Sequence, residues 1–484
     1  MANNPYSEIY DQQEITSLDH VFVQQQKAVK FDPYPSASAR VHDIKQLKKA
    51  VLSFESQLLS AIKKDFGHRS EDDTKFGDIL TTVLSAKYAI KHIKHWMKPS
   101  KRHVGVLFQP AKAQVFYQPL GVVGIITPWN YPIFLALGPL ITALSAGNRA
   151  IIKMSEYTPA TNKVMKQLIT SIFSLDKVTV VDGGTEVAAH FSGLNFDHLV
   201  FTGSTVVGRK VMSSAAKNLT PVTLELGGKS PVLIDENIDI DMAVERFVLA
   251  KTINAGQTCV APDYVLCPEE KIPQLVNALH QQFNQMYEGV IDNADYSSII
   301  NDAQFNRLLS LLADAKKKGA TVQSLKEERN AQNQDVSKRK IPLTLITDIK
   351  DEMLVMQEEI FGPLLPLVGY KSFQQAINYI NDRPKPLALY LMSFDKNTQQ
   401  QVIQQTKAGG VCINDASLHV AQDDLPFGGV GDSGMGHYHG QEGFLALSKA
   451  KPIFTRGRLS FNSMIFPPYG KKIHHLIYKL FIKK

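Results

Sequence analysis

Three side chains in this sequence have the types and settings for covalent chemistry on a carbonyl carbon. Cys259 stands in NAGQTCVAPDY (254–264), after Gly256, Gln257 and Thr258 and just ahead of Pro262. Most free cysteines are small buried hydrophobes, and Cys267 in YVLCP and Cys412 in GGVCIND fit that description, each inside an apolar strand-like run. Cys259 lies instead in a loop or helix-start context, where the reactive thiolate can be stabilised. A thiol that forms an acyl intermediate needs a donor for the oxyanion and a base that activates water against the thioester. Asn130 in PWNYP offers an amide at a strand end, and its plain alternative is a turn residue. Glu225 in TLELGGK is an acid inside an apolar strand. Burying a carboxylate is costly unless it is used or paired, and the plain alternative is a buried acid bonded to backbone. A thiol hydrolase would need a histidine base; His190, His198, His419, His437 and His439 offer no convincing partner for Cys259.

Two further stretches suit a phosphorylated ligand. GSTVVG (203–208) opens a helix after the strand HLVF, and small residues there let backbone N–H groups approach an anion. With only Gly203 and Gly208 present it is not the G-x-G-x-x-G fingerprint, and alone it reads more readily as a glycine-capped strand-to-helix turn than as a dinucleotide site. Lys153 and Glu156, in KMSE at another strand end, could bond ribose hydroxyls or form a solvated helix start.

The elements that must position these residues follow from the apolar pattern. The first hundred residues are expected to be helical: apolar positions in VHDIKQLKKAVLSFESQLLSAIKKDF recur at three- and four-residue steps. Strand-like runs then alternate with helical ones: 114–121, 121–130, 148–155, 177–184, 198–204 and 221–228. Strands apolar throughout and alternating with helices argue for a parallel sheet covered on both faces, with ligands beyond the carboxyl ends of the strands. PWN, KMSE and FTGS all sit at such ends. In the second half, 230–235, 264–268, 362–370 and 409–415 read as strands, and the polar run 324–340 as a solvated surface loop.

Bulk properties bound the function. At 484 residues, two or three domains are expected. Three cysteines form neither a disulfide framework nor a zinc motif, which points to no metal and to a reducing, cytoplasmic setting. The start, MANNPYSEIYDQQE, lacks the apolar core of a signal peptide. The net charge of +7 comes from the end of the chain: eight Lys and Arg and no acid from Lys451 onward leave the preceding 450 residues at −1. Nothing in that body suggests nucleic acid. The longest apolar run, 131–147, is too short and too interrupted for a membrane span and reads as a buried helix. In the tail 470–484, Ile473, Leu476, Ile477, Leu480 and Phe481 share one helical face, with lysines opposite. Such a helix either packs on protein or lies peripherally on an anionic membrane.

Together, PWNYP, KMSE, FTGSTVVG, ELGGKSP, GQTC, EEIFGP (358–363) and PFGGVGDSGMGHYHG (426–440) resemble the aldehyde dehydrogenase superfamily, in family order from about 115 to 450. GQTCVAPDY and SGMGHYHG resemble its class 3 branch, which includes fatty and aromatic aldehyde enzymes, and FPPYGKK resembles the bacterial coniferyl aldehyde dehydrogenase group. The resemblance implies an α/β fold: a Rossmann-type cofactor domain (1–225), an α/β catalytic domain (226–418) and a small β oligomerisation element. That element joins a hairpin near 105–120 to a segment 419–450, and the basic tail 451–484 follows. The resemblance implies that Cys259 adds to the aldehyde, that Asn130 and the Cys259 N–H hold the oxyanion, and that Glu225 activates the hydrolytic water. Lys153 and Glu359 would bind the riboses of NAD or NADP, with Gly203, Ser204 and Gly208 by the pyrophosphate and Glu156 and Phe361 also at the cofactor. The implied product is a free acid, since members that pass the acyl group to coenzyme A commonly lack this glutamate. A homodimer is implied as well. The rival readings are a CoA-acylating member of the fold and a catalytically silent one.

Overall fold

The computed structural model describes residues 5–326 and 338–482. Six helical segments come first, and the apolar stripe expected over 41–66 begins in the helix Ala37–Ser53, where Ile44, Leu47, Ala50 and Val51 are buried on one face. That face packs on the helices Thr81–Trp96 and Phe134–Ala146. The helix Phe134–Ala146 is buried along its whole length. Its Leu137, Leu140, Ile141 and Leu144 each gain roughly 1.5–3 kcal/mol from leaving water. Among the described residues no helix is long and apolar enough to cross a membrane.

Behind this helix lies a six-stranded sheet in the spatial order Gly434–Met435, Val222–Leu226, His198–Gly203, Val122–Ile126, Arg149–Lys153 and Val178–Val181. All neighbours are parallel except the short first strand, which sets Gly434 opposite Glu225. The strands are buried on both faces, which is why they read as unbroken apolar runs. Because they are parallel, their carboxyl ends deliver Asn130, Lys153, Gly203 and Glu225 to one edge.

A second sheet has seven strands in the order Thr321–Ser324, Thr344–Thr347, Leu364–Tyr370, Tyr264–Pro268, Pro231–Ile234, Ala388–Met392 and Gly410–Ile413. Cys267 is fully buried in it. Cys412, expected to be buried in the same way, is only partly so, because its strand is the sheet edge. The polar run 324–340 falls mostly outside the described residues.

A third, three-stranded sheet joins Ser100–Arg102, Lys112–Pro119 and Ser448–Thr455, all antiparallel. The hairpin expected near 105–120 therefore pairs with 448–455, straddling the boundary expected at 450. In SKAKPIFT the lysines sit on an exposed strand, and in the sequence they merged with the basic tail. The segment 419–450 is not one element: Gly434–Met435 belongs to the six-stranded sheet and Gly440–Ala446 is helical. The tail helix forms over Lys472–Phe481.

Candidate active site

The loop carrying Cys259 leaves the helix Ile240–Thr252 through a turn in which Asn254, Ala255 and Gly256 all have positive φ (51°, 51° and 73°). Non-glycine residues there cost of order 1 kcal/mol each, so the surroundings must hold them. A β-carbon on Gly256 would lie 2.6 Å from the Gly362 carbonyl oxygen, and only glycine fits. Asn254 donates from Nδ2 to the carbonyls of Asn130 and Gln257, both at 3.2 Å, and its N–H donates to Asp73 at 3.1 Å. Gln257 donates to Asn254 and Ser298 and accepts from the Ile300 N–H at 3.0 Å. The loop is thereby fixed on both sides of the thiol.

Asn130 is buried, and its Nδ2 donates to Gln257 O at 3.2 Å; its Oδ1 has no partner. Its main chain is clamped from below. Arg69 donates to Asn130 O at 2.7 Å and pairs with Asp78 at 3.3 Å, both side chains fully buried. Asp78 in turn accepts from the N–H groups of Ile133 and Phe134.

Glu225 is 2% exposed, and neither carboxyl oxygen has a partner. Burial raises it well above the ordinary carboxylate range. The thiol of Cys259 is pushed up to about 12, first by burial and then by the charges of Glu359 and Glu225. This corrects the sequence expectation of a stabilised thiolate. The N–H groups of Cys259 and Val260 oppose the shift without overcoming it.

Cys259, Glu225 and Asn130 border a cleft of about 580 Å³ whose walls also include Gly203, Ser204, Glu359 and Phe361. In its wall Ser204 caps the helix Thr205–Ala216, its Oγ accepting from Val207 N at 3.4 Å. The first turn of that helix presents free N–H groups to the cleft, a setting that favours phosphate. Glu359 lies across Gly227, where a β-carbon would come within 1.9 Å of the carboxylate. Burial and nearby Asp263 push Glu359 up to about 8. Phe361 meets Trp129 edge-on at 5.3 Å. Helix-end N–H groups, a carboxyl over a glycine and an aromatic step along one cleft are groups that suit a dinucleotide.

Not every expected residue shares this cleft. Lys153 is buried, donates to Met154 O at 2.8 Å and pairs with Glu156 at 3.7 Å. Glu156 borders a neighbouring cleft of about 670 Å³ with Asp182, Gly183 and Gly184. Gly208, expected by the pyrophosphate, is instead buried under the helix. A β-carbon there would sit 2.5 Å from Leu226 Cδ2, so it serves helix-on-strand packing. Sequence reading missed Arg69, Asp73, Asp78 and Asn254, whose partners are distant in the chain. It also missed Arg307, which donates to the carbonyls of Glu359 and Ile360 and holds that turn. An arginine amid small and acidic residues (GHRSED) is the one local hint at Arg69.

The thiol's setting has a measurable consequence. Its alkylation by iodoacetamide, followed by peptide mass spectrometry, is expected to accelerate about tenfold per pH unit through pH 8–10. A plateau below pH 8 would contradict this.

An α/β body of two large sheets thus holds a cysteine, a carboxyl and helix-end N–H groups along one cleft. The family model for the aldehyde dehydrogenase family matches residues 23–453, and the chain belongs to that family. It is 51% identical to a probable coniferyl aldehyde dehydrogenase of Pseudomonas aeruginosa, over 98% of each chain. Its fold matches a Staphylococcus aureus AldH structure in a substrate-bound state, with a TM-score of 0.90, 39% identity, and coverage of 96% of this chain and 99% of that one. It also matches a Mycobacterium tuberculosis aldehyde dehydrogenase complexed with NAD+, with a TM-score of 0.82, 26% identity, and coverage of 92% and 91%. The protein is an aldehyde dehydrogenase that uses a pyridine nucleotide.

Proposed function

We propose that this enzyme oxidises an aromatic aldehyde of the coniferaldehyde kind, or a hydrophobic fatty aldehyde, to the free carboxylic acid with NAD or NADP. The observation that carries the reading is that Cys259, Glu225 and Asn130 border one cleft with Ser204, Glu359 and Phe361. Similarity to a probable coniferyl aldehyde dehydrogenase supports the aromatic substrate.

In this reading the Cys259 sulfur adds to the aldehyde carbon and gives a thiohemiacetal. The second N–H of Asn130 and the N–H of Cys259 hold its oxyanion. The nucleotide, when bound, supplies the hydride acceptor. Ser204 and the first turn after it would hold the phosphates; Glu359 and Lys153, with Glu156, would serve the riboses, and Phe361 would also contact the nucleotide. Glu225, once ionised, takes a proton from water that attacks the thioester, releasing acid and restoring the thiol. Both raised groups must lose protons, so turnover rises with pH above neutrality. Residues 1–225 form the cofactor unit, 226–418 the catalytic unit, and the three-stranded sheet the contact between two copies.

The test follows the nucleotide absorbance band with NAD and with NADP. The panel runs from acetaldehyde through long alkanals to benzaldehyde and coniferaldehyde, without coenzyme A. Turnover is expected to be highest with the aromatic or long-chain members. Activity only with coenzyme A would sink the hydrolytic reading.

Three free cysteines support a cytoplasmic setting. In the tail, Leu476, Leu480 and Phe481 are exposed on a helix that also carries Lys472 and Lys479, which supports peripheral contact with an anionic membrane. Sedimentation of the full chain and of a chain ending at Pro468 is expected to give dimers for both. Only the full chain should pellet with anionic vesicles; equal pelleting would leave protein packing as the role of the tail.

A further inference from the structure

The strand Val178–Val181 runs into a turn, Asp182, Gly183 and Gly184, from which the helix Thr185–Ser192 starts. A diglycine turn that opens a helix offers bare N–H groups to an anion. Here that place is taken from within the chain. Asp11, on the first helix Pro5–Phe31, accepts from the Gly184 N–H at 3.0 Å. A β-carbon on Gly183 or on Gly184 would lie 3.1 Å from its carboxylate.

The helix that carries Asp11 is firmly held. Its Leu18, Val21 and Phe22 are buried in one cluster with residues of the six-stranded sheet. Gln25 donates to the carbonyls of Ala150 and Leu175, both at 3.1 Å, and Asp19 pairs with His190 at 2.7 Å. Asp11 itself lies outside the stretch 23–453 that the family model matches.

The same carboxylate borders the cleft of about 670 Å³ that Glu156 and Asp182 line. Burial lowers the Lys153 ammonium, and the charges of Glu156, Asp182 and Asp11 act against that shift. Three carboxylates therefore stand around this lysine. Of the two other lysines on the cleft, Lys166 already pairs with Glu14 at 3.6 Å and with Asp182 at 3.9 Å, which leaves Lys163. No arginine is among the described walls. In the reading above Lys153 and Glu156 serve a ribose. Carboxylates beside a ribose suit the free hydroxyls of NAD, whereas NADP brings a phosphate to the 2′ position.

We propose that Asp11 selects NAD over NADP, its carboxylate occupying the anion position at the Gly183–Gly184 turn that a 2′-phosphate would otherwise take. This rests on the nucleotide-dependent reading above and narrows it to NAD.

The experiment measures dissociation constants for NAD and for NADP by calorimetry, without aldehyde, at about 0.15 M ionic strength. The proteins are the wild type, Asp11→Asn and Asp11→Ala, each full length. Wild type is expected to bind NAD about tenfold or more tighter than NADP, since like charges brought together are strongly penalised. Asp11→Asn keeps an acceptor for the Gly184 N–H and loses the charge, and should tighten NADP by about threefold or more. Asp11→Ala also frees that N–H and should tighten NADP further. A ratio that moves only through weaker NAD marks a structural role and overturns the proposal. Equal affinities in wild type, or a preference for NADP, overturn it whether or not either variant folds. So does a preference for NAD that both variants retain. Binding of neither nucleotide overturns the nucleotide-dependent reading first, and selection by Asp11 with it.

Discussion

Cys259→Ala is expected to lose aldehyde-dependent nucleotide reduction by about ten-thousand-fold or more, since no other group can form the covalent intermediate. Cys267 cannot substitute: it is fully buried in the middle of a seven-stranded sheet. Cys412 sits on the edge strand of that sheet and borders no part of the cleft. The substitution removes a partly buried sulfur from a loop fixed by backbone and amide hydrogen bonds, none of which uses the thiol. Circular dichroism and nucleotide binding should therefore be unchanged. Activity kept at more than about a hundredth of wild type would refute the covalent route.

Glu225→Gln should separate the two halves of the reaction. Hydride removal needs the thiol and the oxyanion donors, whereas hydrolysis needs a base; losing the base costs about a hundred- to ten-thousand-fold in the steady rate. Rapid mixing should show one equivalent of reduced nucleotide per active site and then a stall. Loss of the first turnover as well would assign Glu225 to thiol activation instead.

The same variant has a stability signature. Folding raises the Glu225 carboxyl above its unfolded value. The unfolded chain therefore sheds that proton first as pH rises through about 4.5, and the native state is progressively penalised. Glutamine carries no such penalty, so the apparent melting point of the variant should exceed wild type by more at pH 8 than at pH 5.

The catalytic pair was legible because each residue is out of place locally: a cysteine among small polar neighbours, an acid inside an apolar strand. The parallel sheet was legible because strands covered on both faces must be apolar throughout. What escaped reading depends on long-range geometry. Arg69 and Asp78 are ordinary charged residues in the sequence, and only the fold buries them together beneath Asn130. Gly208 misled because a glycine that admits a phosphate and one that admits Leu226 look alike. The thiol's resting state misled because its sequence neighbours do not include Glu359, a hundred residues away. The strand 448–455 was split at 450 because Lys451 opens the acid-free basic run and the strand's exposure leaves no apolar alternation to mark it.

The central claim is that Cys259 carries the acyl group and Glu225 releases it. Intact-protein and peptide mass spectrometry of Glu225→Gln, quenched after mixing with coniferaldehyde and NAD, tests it most directly. One acyl group per chain is expected, a mass gain equal to the substrate less two hydrogens, mapping to the peptide that contains Cys259. Reduced nucleotide formed with no adduct, or an adduct on any other residue, would contradict it.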